Sequence, residues 1–151
     1  MLALDLGADA LGFVFHQKSP RYINTQNAAK ICRELPVFVA KVGVFVDAGA
    51  ETVRFAVEDC HLTALQFHGL ESVWFCQQFP GQSIKAIRVK DETSLKTAAE
   101  YDVDAVLLDT YTENLNGGTG QTFDWSLAIK AKQMLKPRII LSGGLTPENV
   151  A

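Results

Sequence analysis

Six short apolar runs, separated by segments with helical spacing, leave very few architectures open to this chain. The runs are rich in Val, Ile, Leu and Phe and fall at Ala10 to Phe15, Ala40 to Val46, Ala64 to Phe67, Ile84 to Val89, Ala105 to Asp109 and Arg138 to Ser142. Most are continuous rather than alternating, as strands covered by helices on their faces require. Helical patterns lie between them at Asn24 to Leu35, Glu51 to Cys60, Glu71 to Phe79, Thr93 to Tyr101 and Asp124 to Leu135. The first has an Asn at its N-cap position and Pro36 as a stop, and Asp124 is expected to cap the last. Thr146 followed by Pro147 and Glu148 reads as a further helix start, with a hydroxyl cap, Pro at the first helical position and an acid in the first turn. Met1 to Leu6 reads as the tail of a helix with Gly7 as its C-cap.

Strict strand-helix alternation makes this an α/β chain, either a doubly wound open sheet or a (β/α)₈ TIM barrel. The length of 151 residues suits a complete five-stranded open sheet better than a barrel, which takes about 200 to 250 residues. The ends suit it worse, because both fall inside helical patterns, where a domain boundary is not expected. One domain over residues 1 to 151 is expected.

Composition narrows the function. With 14 basic and 17 acidic residues, a net charge of −3 and no long Lys/Arg cluster, the chain has no electrostatic stripe for nucleic acid. No apolar run approaches the roughly 18 residues of a membrane span, and the first residues lack the basic flank of a signal peptide, so the expected address is the cytoplasm. Cys32, Cys60 and Cys76 show neither disulfide-framework nor zinc spacing and read as buried or helix-face residues.

In either architecture the residues just beyond the C-terminal strand ends carry the chemistry. Those positions hold His16 to Tyr22, Gln66 to Gly69, Arg88, Asp109 with Thr110, and Ser142-Gly143-Gly144. Gly143 and Gly144 before a helix start have the ingredients of a phosphate cup, since bare backbone lets N–H groups approach an anion; a tight strand-to-helix turn is the plainer reading. Asp109 ends an otherwise apolar strand, where it is either a proton-transfer group or a cap for the following loop. Arg21, stiffened by Pro20, could hold a carboxylate in bidentate fashion or be merely solvated. His68 could orient a substrate or be a hydrogen-bonded rim residue. Asn114 to Gln121, with Gly117, Gly118 and Gly120, could form a lid, and it lacks the Lys-Ser/Thr ending of a nucleotide-binding loop. Phe123 and Trp125 are expected to pack in the core.

Taken together, Gly7 to Phe15 with Ser19-Pro20-Arg21-Tyr22, Val42 to Val46, Gln66-Phe67-His68-Gly69, Leu108-Asp109-Thr110, Gly117 to Gly120 with Phe123-Asp124-Trp125, and Leu141 to Leu145 with Pro147 to Val150 form an ordered set. In order and spacing, this set resembles the phosphoribosylanthranilate isomerases. The resemblance implies a (β/α)₈ barrel and an Amadori rearrangement of N-(5'-phosphoribosyl)anthranilate to 1-(2-carboxyphenylamino)-1-deoxyribulose 5-phosphate, with no metal or organic cofactor. It implies Asp109 as general acid on the ribose ring oxygen, Arg21 on the anthranilate carboxylate, and Gly143 and Gly144 at the phosphate; His68 is taken as a further substrate-binding residue from its place at a strand end. The family's general base is a Cys after its first strand, and none of Cys32, Cys60 and Cys76 matches it.

By this alignment the six runs correspond to the family's second to seventh strands. The 151 residues alone are then expected to lack the base, to leave two strand edges unpaired and not to isomerise substrate. The parent is expected to be a monomer or homodimer, possibly fused to another tryptophan-pathway domain. Two other readings stay open: a related phosphate-binding barrel lyase, which should show catalytic lysines at its strand ends, and a non-catalytic phosphate-binding remnant.

Overall fold

The computed structural model describes residues 2–79, 82–110 and 125–149. The chain divides into two compact units, Met1–Ser83 and Ile84–Ala151.

The first unit runs α1 (Leu2–Asp5), β1 (Ala10–Val14), α2 (Thr25–Glu34), β2 (Ala40–Phe45), α3 (Ala50–Cys60), β3 (Ala64–Phe67) and α4 (Val73–Cys76). Gly7, at φ 87°, ends α1, and the amides of Gly7 and Ala8 return to the carbonyls of Leu4 and Ala3. The strands are parallel, with Phe13 beside Gly43, Val14 beside Val44, Val44 beside Gln66 and Phe45 beside Phe67. Asn24 caps α2 by accepting from the Asn27 amide at 2.8 Å. The helix stops where Leu35 turns extended before Pro36, as a residue preceding proline must. Its inner face, Ala28, Ala29 and Cys32, packs on Phe13, Leu35 and Cys60. Phe67 meets Phe75 edge-on at 5.7 Å and Phe79 at 5.5 Å. α4 is shorter than the Glu71 to Phe79 pattern suggests. Ser72 caps it, accepting from the Phe75 amide, and a proline at position 80 of the sequence disfavours helical backbone at Phe79.

The second unit holds most of β4 (Gln82–Val89), then α5 (Glu92–Ala98), β5 (Ala105–Thr110), α6 (Ser126–Met134) and β6 (Arg138–Leu141). β4, β5 and β6 are parallel neighbours in chain order. One face of β4 and β5, with Ile87, Val89, Val106 and Leu108, buries against Leu95, Ala98, Leu127, Ala131 and Leu135 from the helical side. Asp91 caps α5, accepting from the Thr93 and Ser94 amides, while the Ser94 hydroxyl accepts from the Asp91 amide to complete a capping box. The expected Asp124 cap, the Asn114 to Gln121 loop and Phe123 lie outside the described residues, whereas Trp125, half-buried, occupies the N-cap position of α6.

After β6, residues 147–149 form a turn that leads out of the described residues, where the helix expected after Thr146 would continue, and the Asn149 side chain reaches back over it. Its Oδ1 accepts from the Thr146 amide at 2.7 Å and its amide nitrogen donates to the Gly144 carbonyl at 3.0 Å. Among the described residues, no helix is long and apolar enough to cross a membrane.

Candidate active site

In both units the polar residues gather beyond the C-terminal ends of the parallel strands. After β1 the chain folds into successive turns, with the Ser19 amide donating to the His16 carbonyl and the Tyr22 amide to the Ser19 carbonyl, at 2.9 and 3.0 Å. The Ser19 hydroxyl accepts from the Arg21 amide at 3.2 Å, and Tyr22 bridges back to Val14. Arg21 is therefore fixed at its backbone while its side chain is exposed. Tyr22, Val14, Val44 and Gln66 are successive neighbours across the strands, so Arg21 and the end of β3 share one edge of this unit.

At that edge the His68 amide donates to the Phe45 carbonyl at 2.8 Å, carrying the β2–β3 ladder one residue further. The Gln66 side-chain nitrogen lies 3.0 Å from His68 Nδ1. Phe45 and Phe67 belong to the aromatic packing with Phe15, Phe75 and Phe79, so by strand alternation Val44, Gln66 and His68 fall on the other side. Two carboxylates that sequence reasoning did not single out complete the edge. Glu71 is only 6% exposed. Its Oε1 accepts from the Asp47 amide and its Oε2 from the Gly69 amide, both at 2.9 Å. Asp47 accepts from the Leu70 amide at 2.6 Å. The available signal was thin: an Asp just past a strand with Gly49 close behind, and a Glu two residues beyond the Gly of Gln-Phe-His-Gly.

In the second unit, Asp109 is 5% exposed at the end of β5. Val106 and Leu108 point to the helices, so Ala105, Leu107 and Asp109 occupy the opposite face, and Arg88 of β4 is the register neighbour of Asp109. Leu108 pairs with Leu141, and the Ser142 amide donates to the Leu108 carbonyl at 2.9 Å, which brings the Ser142-Gly143-Gly144 turn to the level of Asp109. Gly143 and Gly144 stand at φ 84° and 63°, backbone that side chains resist. Among the described residues neither glycine's N–H donates to another group, so the turn keeps two backbone donors beside Asp109. Beside it, the Thr146 hydroxyl donates to Glu148 and holds that carboxyl below the usual carboxylate range.

The cysteines take no part in this edge. Cys32 lies in α2, Cys60 ends α3 and Cys76 ends α4, all buried. Burial pushes the Cys32 thiol up, and burial together with the neighbouring Cys32 and Asp59 pushes Cys60 up to about 11, so the thiolate needed for proton abstraction is suppressed in both.

Parallel strands alternating with helices in each unit, with polar groups and a glycine turn at the strands' C-terminal ends, define the class of this protein as α/β, the layout that doubly wound sheets and (β/α) barrels share. Residues 1–151 match the family described as N-(5'phosphoribosyl)anthranilate (PRA) isomerase. The N-(5'-phosphoribosyl)anthranilate isomerase of Geobacter sp. (strain M21) is 48% identical over 151 residues, all of this chain and 73% of that relative. The crystal structure of phosphoribosyl anthranilate isomerase from Thermotoga maritima superposes with a TM-score of 0.87 at 40% identity, over 98% of this chain and 72% of that one. A phosphoribosyl anthranilate isomerase in complex with reduced 1-(o-carboxyphenylamino)-1-deoxyribulose 5-phosphate superposes at 0.82 with 38% identity, over 98% and 71%. The chain belongs to the N-(5'-phosphoribosyl)anthranilate isomerase family, the TIM-barrel isomerases of tryptophan biosynthesis.

Proposed function

We propose that in the isomerisation of N-(5'-phosphoribosyl)anthranilate this chain supplies the general acid through Asp109, a carboxylate clamp through Arg21, a phosphate turn through Gly143 and Gly144, and an orienting imidazole through His68. The observation that carries the reading is Asp109 itself. It is a buried carboxyl at a strand's C-terminal end, on the face away from the helical core, beside a glycine turn with backbone donors. A relative of the same fold binds a reduced analogue that bears both a carboxyphenyl group and a phosphate, which are the two anions these groups suit.

The chemistry needs only protons. Asp109 protonates the ribose ring oxygen as the C1–O bond breaks and the anilino nitrogen's lone pair forms an iminium at C1. A base then removes the C2 proton, giving an enolamine that becomes the C2 ketone when C1 is protonated. None of the three cysteines stands where it could be that base. Backbone donors at positive-φ glycines suit a phosphate in a protein of net charge −3, because they supply a local field without side-chain charge. We place the reaction in the cytoplasm, a reducing compartment in keeping with three unpaired cysteines.

The test is an assay of the full-length protein with N-(5'-phosphoribosyl)anthranilate, wild type against Asp109→Asn. The substitution keeps the shape and should lower kcat by about 10²- to 10⁴-fold with an unchanged circular dichroism spectrum. Turnover within a few-fold of wild type would reduce Asp109 to a loop cap.

A further inference from the structure

The turns that follow β2 and β3 are tied to one another by an exchange of carboxylates. Glu71, in the second turn, accepts the Asp47 amide of the first at 2.9 Å; Asp47 accepts the Leu70 amide of the second at 2.6 Å. Glu71 also turns its other oxygen on the Gly69 amide of its own loop, at 2.9 Å. Each loop's backbone is thus held by the other loop's side chain, across 24 residues of sequence in one case and 23 in the other.

Three further features show how tightly this is set. Asp47 stands at φ 50°, a left-handed conformation that a non-glycine residue keeps only when its surroundings over-determine it. Gly69 has no room for a side chain, since a Cβ there would sit 2.7 Å from the Asp47 nitrogen and 2.6 Å from its carboxyl carbon. Glu71 is almost fully buried, which for a carboxylate is costly beside an apolar side chain of the same volume.

What the clamp encloses is His68. Its own amide is bound to the Phe45 carbonyl, the next residue's amide is bound to Glu71, and its ring meets the Gln66 amide nitrogen at Nδ1. Backbone fixed on both sides leaves the ring little choice of position.

We propose that Glu71, together with Asp47, is a positioning residue that sets the orientation of the His68 imidazole toward the substrate. This rests on the substrate-binding role given to His68 above. The experiment compares wild type, Glu71→Gln and Glu71→Ala in the full-length protein, with the exposed Glu92→Gln as control. Two readouts are taken: KM and kcat well below the melting temperature, and the His68 imidazole NMR resonances without substrate.

Glu71→Gln keeps one acceptor oxygen and presents an NH₂ to a backbone N–H, so it should loosen the clamp yet fold. The expected result is a kcat/KM lower by roughly ten- to a hundredfold, mostly through KM, as a misplaced orienting group gives. The His68 resonances should shift as well, and Glu71→Ala should exceed Glu71→Gln in both. A lowered melting temperature with unmoved His68 resonances and unchanged KM and kcat would overturn the proposal and leave Glu71 as structural glue. If wild type fails to turn over this substrate, the functional reading falls, whereas unmoved His68 resonances in Glu71→Gln overturn the positioning role whatever the activity.

Discussion

The strand ends of the two units solve the same problem in opposite ways. After β2 and β3, the backbone N–H groups of Asp47, Gly69 and Leu70 are occupied by the chain's own carboxylates, Glu71 and Asp47. After β6, the turn is closed from behind by Asn149, which binds the Thr146 amide and the Gly144 carbonyl, and the glycines' N–H groups donate to nothing among the described residues. The first arrangement uses its amides internally and holds the backbone on either side of His68; the second leaves two amides with no acceptor among the described residues. On the roles proposed above, which carbonyls and amides a loop satisfies from within separates a loop that orients from a loop that binds.

Three substitutions bear on that contrast. The largest effect should come from Gly69→Ala, where the new methyl group meets Asp47 backbone closer than real Cβ atoms approach anything. Overpacking of this kind costs about 3 kcal/mol, and urea denaturation should show it; a loss under about 1 kcal/mol would mean the two turns can slide apart, so that the clamp is not rigid. Gly143→Ala should cost less, about 1 to 2 kcal/mol for forcing a side chain to positive φ. It should in addition weaken inhibition by inorganic phosphate, which Gly69→Ala should not. Equal sensitivity of both variants to phosphate would erase the distinction between the two loops. Arg21→Ala should have the smallest effect on the molecule itself, because its side chain is exposed, with stability unchanged and KM raised by roughly tenfold through the lost charge-assisted bond. An unchanged KM would remove Arg21 from the substrate.

Much of this layout was legible in the residues. The Ala64 to Phe67 run is β3 to the residue, and Asn24 and Pro36 bracket α2 as a cap and a stop should, because these signals are local. The rim positions of Arg21, His68, Asp109 and Gly143 could be read because a strand's end is marked where an apolar run stops. The Glu71 to Phe79 helix shrank to four residues as Phe79 packs on Phe67 beyond its end and proline follows in the sequence. The Asp47–Glu71 exchange was the least legible feature. It exists only once Phe45 lies beside Phe67, a register that brings together residues with no local signal between them.

That exchange also bears on how such a chain can be altered by recombination. The loops after β2 and β3 are separate in sequence, and swapping one for a relative's counterpart looks like an independent edit. Here a transplanted β2 loop without an acid at position 47 would leave the Leu70 amide without its acceptor. A transplanted β3 loop without Glu71 would strand Asp47 in a left-handed conformation with its own amide unanswered. The two loops form one heritable unit, to be exchanged as a pair or left in place.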